Sequence, residues 1–501
     1  MHITVSTALL LISTITTPFV YGASISKDTS SSVIRLPLKK SARNLDVITA
    51  QRKRSIEKRE PFKTTLYNDG GSQYLVDVGI GTPLQNFTVT LDTGSADLWV
   101  PSTDCPTSQC PYTRFDATKS SSYNSSTEPF GIVYGIGSVN GTYVKDTVSV
   151  AGVSVQNQQF GLASTTADIL TNPTTLGGSG TDVTTDNSTT QSSGNDGPVG
   201  NGILGLGYPK LTAASSQGEP AYNPFVFNLM DQKLIQQPIF SVYMNNPDEQ
   251  GWVGEVIFGG TDNSKYTGEI AYLPVAQLQT SKNPLESVLG SSSDAYYYWM
   301  VYGQGIAIGN SQSSSVNNMT FKNVVPFIID TGTTLTYLPD DVAVQVAEGL
   351  LGKGNYQLDS QSQVFTASCA AADTSASFQL QMSTSEKSSD NPVTLSVPVS
   401  ELLIPYDGPT VETATNCILG IAPVGSSNGM YLIGDSVLRS AYLVFDMGEN
   451  RIGFAAANNV PGSVNGVGSP SSSSSITSPI DSVPMIVTLL VTVISMLVST
   501  L

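Results

Sequence analysis

A short acidic turn occurs twice in this 501-residue chain, and its duplication constrains the fold more than any other feature. Residues 91–101 read LDTGSADLWVP and residues 329–339 read IDTGTTLTYLP. In each copy an apolar residue precedes Asp-Thr-Gly, a hydroxyl residue follows, an aromatic stands seven positions after the Asp, and a Pro stands two further on. The repeat predicts two related lobes that each present one carboxylate, from Asp92 and Asp330, to a shared site.

A second repeated segment supports this interpretation. An apolar-apolar-Gly run follows each acidic turn at a similar distance, as Ile203-Leu204-Gly205 in the first half and Leu432-Ile433-Gly434 in the second. Two marks repeated in the same order are much harder to obtain by chance than one. The duplication therefore extends over both halves of the chain.

The pattern between these marks favours β-structure. Charged residues make up only 13% of the chain, Gly is abundant, and short alternating apolar runs end at turn residues, as in 73–80 and 86–91. A glycine-dense hairpin is predicted at 130–144, and short helices are predicted at 225–230 and 340–351. We expect an all-β fold of two related lobes with a few short helices.

Several classes of function are excluded by composition. The only histidine is His2, so histidine-dependent catalysis and histidine-ligated metal sites are ruled out for the remaining chain. We predict no metal and no other cofactor. The net charge is −17, and the first 59 residues carry ten Lys or Arg against three acids, which leaves −24 for the rest. Such a body repels polyanions, so we predict no nucleic-acid partner.

The amino terminus has features of the secretory pathway. An uncharged apolar run followed by small residues predicts a signal peptide over 1–22. The basic stretch 23–59 ends in Lys58-Arg59, which predicts a pro-segment cut after Arg59. The alternative is a solvated basic arm, which explains less because a positive segment before a negative body could cover an acidic site.

The carboxyl terminus predicts a lipid anchor. A Ser/Gly-rich linker over 461–480 precedes an apolar tail over 481–501, an arrangement typical of a GPI-attachment signal. The alternative is a single transmembrane anchor, which is disfavoured because the tail is short and no Lys or Arg follows it.

Between these segments we expect an N-terminal lobe over 60–248 and a C-terminal lobe over 249–460. Residues 164–200 are rich in Thr, Ser, Gly and Asn, which predicts a long surface insertion in the first lobe.

Cysteines and sequons agree with a secreted protein. Four cysteines allow three pairings, and the local one, Cys105–Cys110 with Cys369–Cys417, puts one bridge in each lobe. Four free thiols are the alternative, which a secretory route disfavours. Five sequons are candidate glycosylation sites, some of which we expect to be used, at Asn86, Asn124, Asn140, Asn187 and Asn318.

The chemistry that two carboxylates can perform needs neither metal nor histidine. Held close together they share one proton, because like charges raise the pKa of one group strongly. A water between them can lose a proton to one Asp as it attacks a peptide carbonyl, while the other Asp protonates the carbonyl oxygen. Neighbours in each motif can supply amide and hydroxyl donors or fix the two loops together, namely Thr93, Gly94, Ser95, Thr331, Gly332 and Thr333.

From about residue 64 to 457 the chain resembles the pepsin family of aspartic proteases. The two Asp-Thr-Gly motifs match that family's catalytic loops, and the apolar-apolar-Gly segments resemble the motifs that support them. The resemblance implies a bilobal pepsin-like β fold with an active cleft between the two lobes. It also implies a flap that closes over substrate, formed by Tyr134, Gly135, Gly137 and Ser138, with Trp99 supporting the tyrosine. Departures from the family pattern stand at Ala96, Ile136 and Asn201, of which Ile136 at the flap tip could alter specificity.

The added amino- and carboxyl-terminal segments are similar to those of fungal yapsin-type GPI-anchored proteases. We therefore expect a monomeric cell-surface endopeptidase that acts on proteins and peptides at acid pH. A preference for basic cleavage sites is one expectation, and an acidic surface merely suited to an acid medium is its alternative. A catalytically silent relative that binds peptides or serves the cell wall is the rival function.

Overall fold

The computed structural model describes residues 34–40, 74–134, 137–170, 200–245, 252–278, 295–310, 315–360, 362–408, 410–425 and 429–465. All of them belong to one compact unit, Ser32–Leu501. Within these described ranges, no helix has the length and apolar character needed to cross a membrane.

Strands dominate the described chain, which confirms the all-β prediction. Their bounds are β1 Ile34–Lys40, β2 Tyr74–Ile80, β3 Gln85–Asp92, β4 Leu98–Pro101, β5 Pro129–Val133, β6 Ser138–Val150, β7 Val153–Ala167, β8 Ile203–Gly205, β9 Ile239–Tyr243, β10 Trp252–Phe258, β11 Tyr266–Pro274, β12 Met300–Asn310, β13 Ser315–Ile329, β14 Thr336–Leu338, β15 Tyr356–Leu358, β16 Phe365–Ser368, β17 Ala376–Ser383, β18 Val393–Pro398, β19 Leu403–Pro405, β20 Asn416–Leu419, β21 Ile421–Pro423, β22 Tyr431–Ile433, β23 Ala441–Asp446, β24 Arg451–Ala457 and β25 Ser463–Asn465.

Helices are few and short, as expected. The α-helices are α1 Ala213–Ser216, α2 Phe225–Asp231, α3 Asp340–Leu351, α4 Val399–Leu402 and α5 Asp435–Leu438, and 3-10 turns occupy Ala117–Lys119, Pro209–Leu211 and Cys369–Asp373. The predicted helix at 340–351 is confirmed with both ends. It begins after Pro339, carries acidic residues in its first turn where the helix dipole favours them, and ends at Gly352 with a φ of 84°.

The strands form three sheets. A 13-stranded sheet has the order β11-β24-β23-β9-β10-β1-β2-β3-β8-β4-β7-β6-β5, an 8-stranded sheet has the order β21-β14-β22-β13-β12-β17-β18-β25, and a 4-stranded sheet has the order β15-β16-β20-β19. Strands β10, β11, β23 and β24 come from the predicted second lobe yet belong to the largest sheet.

The same four-strand arrangement occurs in both large sheets. In the first, β3 pairs parallel with β8, β8 pairs antiparallel with β4, and β4 pairs parallel with β7. In the second, β13 pairs parallel with β22, β22 pairs antiparallel with β14, and β14 pairs parallel with β21. The sequence duplication is thus a duplication of strand topology, and each acidic turn leaves the carboxyl end of an interior strand.

Strand β1 lies inside the predicted pro-segment. It pairs antiparallel with β10 from Ile34 to Lys39 and with β2 through Lys39 and Lys40. Part of the stretch 23–59 therefore occupies an interior position of the largest sheet.

Two regions differ from the sequence expectations. Strand β7 continues to Ala167, so the first residues of the predicted insertion pair with β6, and Ile169 and Leu170 are buried. Residues 463–465, predicted as linker, form β25 and pair with β18. Polar Ser- and Thr-rich sequence can form strands when a neighbouring edge supplies backbone partners, because the ladder uses main-chain groups. Residues 171–199 and the tail beyond 465 lie outside the described residues.

Candidate active site

The two aspartates occupy equivalent positions at the ends of interior strands. Asp92 is the last residue of β3, and Asp330 follows β13 directly. Both side chains are fully buried. A Cβ atom added to Gly94 would lie 2.5 Å from the Asp330 carboxyl group, so the first loop approaches the second aspartate as closely as glycine alone permits.

Each carboxyl group is held by donors from its own loop. The Gly94 amide donates to Asp92 Oδ1 at 2.8 Å, and the Gly332 amide donates to Asp330 Oδ1 at the same distance. The Ser95 hydroxyl donates to Asp92 Oδ2, and the Thr333 hydroxyl donates to Asp330 Oδ2 at 2.7 Å. One amide and one hydroxyl therefore orient each carboxyl group.

Two threonines join the loops across the pair. Thr93 Oγ1 donates to the Ile329 carbonyl at 2.8 Å and accepts from the Thr331 amide at 3.0 Å. Thr331 Oγ1 donates to the Leu91 carbonyl and accepts from the Thr93 amide, both at 3.3 Å. Because all these groups are buried, the bonds fix the relative position of the two carboxylates.

The apolar-apolar-Gly strands lie behind the loops, as the sequence suggested. Asp92 pairs with Gly205 in parallel register, and its carbonyl accepts from the Leu206 amide at 2.8 Å. Asp330 donates its amide to the Ile433 carbonyl at 3.0 Å. An added Cβ at Gly205 or Gly434 would meet loop backbone at 2.5 Å or less, so these glycines allow the close packing.

Burial and proximity perturb both acids. Desolvation raises the pKa of Asp92 well above its ordinary value of 3.8, and the negative charge of Asp330 raises it further. Desolvation also raises the pKa of Asp330, while its hydroxyl and amide donors act in the opposite direction. The two carboxyl groups also hydrogen-bond to each other. The pair therefore titrates as a unit and holds one proton where isolated carboxyl groups would both be ionised.

The hairpin β5–β6 carries the predicted flap. Its residues Tyr134 and Gly137 exchange backbone hydrogen bonds of 2.7 and 3.3 Å, and Ser138 begins β6. The Trp99 indole donates to the Tyr134 hydroxyl at 3.0 Å, and Ser95 also hydrogen-bonds to it. Tyr134 thus connects by way of Ser95 to Asp92. Gly135 lies outside the described residues, as does Ile136.

Sequence reasoning missed four other side chains of this site, those of Asp97, Tyr143, Tyr222 and Trp299. Asp97 is buried and accepts hydrogen bonds from the hydroxyls of Tyr143 and Tyr222, both at 2.7 Å. Trp299 donates its indole N–H to the Leu206 carbonyl at 2.9 Å, behind the Asp92 loop. Asp97 stands between the apolar residues Ala96 and Leu98 of the first motif, and that placement is the sequence signal by which it could have been singled out. No sequence signal links it to distant tyrosines.

The departures from the family pattern leave the carboxyl pair intact. Ala96 and Asn201 are buried. The main-chain amide of Asn201 donates to the Thr88 carbonyl at 2.8 Å, which joins β3 to the segment that leads into β8. Within the described residues there is no cluster of His, Cys, Asp or Glu suited to hold a metal ion.

Both predicted disulfides are present. Cys105–Cys110 closes a small loop after β4, and Cys369–Cys417 joins a 3-10 turn to β20. This pairing puts one bridge in each half of the chain.

The sequons differ in accessibility. Asn86, Asn124 and Asn140 are exposed, and Asn318 is half-buried. Their glycosylation stays a prediction. Asn187 and the predicted cleavage point Arg59 lie outside the described residues.

Comparison with known proteins agrees with this geometry. The family model for eukaryotic aspartyl protease matches residues 73–457. The chain is 32% identical to mucorpepsin of Rhizomucor pusillus over 78% of this chain and 80% of that protein. It is also 32% identical to an acid protease of Saccharomycopsis fibuligera over 77% and 81% of the two chains. Human gastricsin is 30% identical over 77% of this chain and 81% of its own.

Proposed function

This chain belongs to the eukaryotic aspartyl protease family and is an aspartic-type endopeptidase, and we propose that Asp92 and Asp330 are its catalytic pair. The observation that carries the proposal is the pair of buried carboxyl groups, hydrogen-bonded to each other and each held by one amide and one hydroxyl. This arrangement suits a pair that shares one proton and holds a water between its members.

The proposed reaction is hydrolysis of a peptide bond by that water. The ionised carboxylate takes a proton from the water as its oxygen bonds to the peptide carbonyl carbon, and the protonated carboxyl group gives its proton to the carbonyl oxygen. As the tetrahedral diol collapses, the carboxyl group that took the water proton gives it to the leaving nitrogen, the other carboxylate takes a proton from one diol hydroxyl, and the C–N bond breaks. The carboxyl pair then again holds one proton, so no metal or organic cofactor enters the balance.

Replacing either aspartate tests this assignment. Asp92→Asn and Asp330→Asn should each lower kcat on a denatured protein substrate near pH 4 by at least about 10²–10⁴-fold, because each removes a group that carries a proton in the reaction. Circular dichroism serves as the control for folding. A folded Asp92→Asn or Asp330→Asn enzyme with nearly full activity would refute the pair.

We further propose that Tyr134, Gly135, Gly137 and Ser138 form a flap over bound substrate. In support, Tyr134 reaches the donor shell of Asp92 through Ser95. Tyr134→Phe keeps the ring but removes the hydroxyl that accepts from Trp99, so it should change KM and kcat while leaving the unfolding temperature close to wild type. Unchanged kinetics with peptides of any length would count against the flap.

We propose peptides with basic residues at the cleavage point as preferred substrates. The support is electrostatic, because the chain beyond residue 59 carries a net charge of −24 and an acidic surface attracts cationic segments. Profiling a randomised peptide library near the pH optimum tests this idea. Cleavage sites without enrichment in Lys or Arg would leave only the alternative, an acidic surface adapted to an acid medium.

We propose that the enzyme is made as a secreted precursor of the yapsin type and is attached to the cell surface through GPI. The support lies in the sequence, with an apolar start over 1–22, a basic segment ending at Arg59 and an apolar tail over 481–501. Two disulfides fit an oxidising compartment.

Phospholipase treatment tests the anchor. A phosphatidylinositol-specific phospholipase should release the enzyme from membranes, and deletion of 481–501 should send it to the medium. Retention after phospholipase treatment, together with detergent-dependent extraction of the intact tail, would favour a transmembrane anchor.

We propose that the active enzyme is a monomer, because one chain supplies both carboxyl groups and the threonine bonds between their loops. Sedimentation of the active enzyme at a mass above that of one chain would contradict this.

A further inference from the structure

One buried carboxylate has no part in the proposed reaction. Asp97 stands five positions after Asp92 in the first acidic loop and is 1% exposed. Its Oδ1 accepts hydrogen bonds from the hydroxyls of Tyr143 and Tyr222, both at 2.7 Å, and its Oδ2 accepts from the Ala213 amide at 2.8 Å. A buried charge is tolerated when donors satisfy it in this way.

The three donors come from three separate parts of the chain. Tyr143 belongs to β6, the returning strand of the flap hairpin, Ala213 is the first residue of α1, and Tyr222 precedes α2. The Tyr143 hydroxyl also accepts from the Ala214 amide at 2.9 Å, so the donors are joined to one another. Asp97 therefore ties three segments to the loop that carries Asp92.

These segments contact the other strand of the flap hairpin. The Tyr143 ring packs edge-on against Phe130 of β5 with centroids 5.2 Å apart, and against Tyr222 at 5.6 Å. The Gln217 side chain, just after α1, donates to the Gly131 carbonyl of β5 at 3.3 Å. Displacement of any of these segments would move the base of the flap.

The chemistry of the position favours a carboxyl group. The Tyr143 and Tyr222 hydroxyls and the Ala213 amide all donate to it, and its two oxygens have enough lone pairs to accept all three bonds. An amide in its place would set an NH2 group against either the Ala213 amide or the two phenols. At least one buried donor would then lose its acceptor, so the segments could no longer keep their present spacing.

We propose that Asp97 is a positioning residue that fixes the base of the flap relative to the Asp92 loop and thereby determines substrate binding more than the chemical step. This rests on the proposed function of the flap and of Asp92. It does not assign Asp97 any contact with the reacting atoms.

Steady-state kinetics of the full-length enzyme test the proposal. Asp97→Asn should raise KM for a fluorogenic octapeptide about tenfold, equivalent to about 1.4 kcal/mol of binding, while kcat changes by less than about threefold because both reacting carboxyl groups keep their donors.

Asp146→Asn provides a matched control. Asp146 is a second buried carboxylate, which lies in β6 and accepts from the Ser122 hydroxyl at 2.6 Å and the Thr147 amide at 2.7 Å. Its replacement should lower the unfolding temperature without changing KM. Equal KM for the Asp97 and Asp146 variants would overturn the proposal, and so would a loss of kcat alone at position 97.

A milder substitution covers the case in which Asp97→Asn does not fold. Tyr222→Phe removes one of the three donors and keeps the ring, so KM should rise about threefold, or about 0.65 kcal/mol. An unchanged KM in a folded Tyr222→Phe enzyme would overturn the proposal. These KM ratios hold whichever residues perform the chemistry, whereas failure of the catalytic pair would appear as activity of the Asp92→Asn enzyme.

Discussion

The two acidic loops, Leu91–Pro101 and Ile329–Pro339, are nearly equal at their centres and different at their ends. Each aspartate accepts from an amide two residues on and a hydroxyl three residues on. Five residues on, the first loop has Asp97 with three hydrogen bonds, and the second has Leu335 in an apolar cluster.

The difference separates two requirements of the site. A pair of carboxyl groups that share a proton needs similar surroundings on both sides, so the inner donors repeat. Among the described residues, the flap hairpin is hydrogen-bonded to the first loop through Trp99 and Asp97, so the polar network beyond the inner donors lies on that side. The shared proton thus accounts for the repeated donors, and the flap accounts for where the repeat ends.

The most severe way to break this comparison is to make the second loop like the first. Leu335→Asp places a carboxylate in an apolar cluster without the tyrosine and amide donors of position 97. Burying such a charge costs more than about 4 kcal/mol, so we expect little folded protein, measured by the yield of soluble enzyme. Leu335→Met, which conserves volume, is the control and should cost less than about 1.5 kcal/mol. Normal yield of the Asp variant would show that the second loop tolerates a charge.

The disulfides offer a second contrast between the halves. Cys369 and Cys417 are 48 residues apart and Cys105 and Cys110 only 5 apart. From loop-closure entropy, replacing Cys369 and Cys417 with Ser should lower the free energy of unfolding by about 4 kcal/mol, and replacing Cys105 and Cys110 with Ser should lower it by about 2 kcal/mol. Chemical denaturation of both double variants measures this. Equal losses would mean that strain or residual structure, and not loop length, sets their contributions.

The pH dependence of stability follows from the carboxyl groups whose pKa is raised by burial. Burial raises the pKa of Asp92, Asp330 and Asp97 above the ordinary value of 3.8. The folded state therefore binds these protons more tightly than the unfolded state. Their contribution to stability is complete below pH 3.8 and is lost as pH rises through the raised values, by at most about 1.4 kcal/mol per group and pH unit.

Unfolding temperature measured from pH 3.5 to 7 should consequently fall. The slope should be smaller in Asp92→Asn, because an amide does not titrate and no longer repels Asp330. An unfolding temperature that rises over this pH range would contradict the raised pKa values of these carboxyl groups.

The smallest expected effect concerns the threonines between the loops. Thr93 makes the shorter bonds, 2.8 and 3.0 Å, and Thr331 makes bonds of 3.3 Å. Thr93→Val should cost about 2 kcal/mol and Thr331→Val about 1 kcal/mol of unfolding free energy. The double variant should cost less than the sum, since each side chain accepts from the backbone amide of the other residue. A larger loss at Thr331 would reverse the inferred asymmetry.

Much of the fold could be predicted from local pattern. The duplicated turns, the hairpin and the helix at 340–351 appeared in the sequence because each depends on neighbouring residues. The predictions differed from the structure where a distant partner decided the outcome, as in β25 and the end of β7, whose polar residues form strands because an edge was available.

The sequence by itself determined the two Asp-Thr-Gly motifs with their aspartates, because the residues of a motif stand at a fixed spacing in the chain. Composition alone determined that no imidazole lies beyond His2. Only the tertiary structure decided which side chains surround that pair. Tyr143, Tyr222 and Ala213 meet Asp97 from separate segments of the chain, and Trp299 reaches Leu206, just after β8, from the other half. Such contacts depend on how sheets and loops pack together, and no local periodicity encodes them.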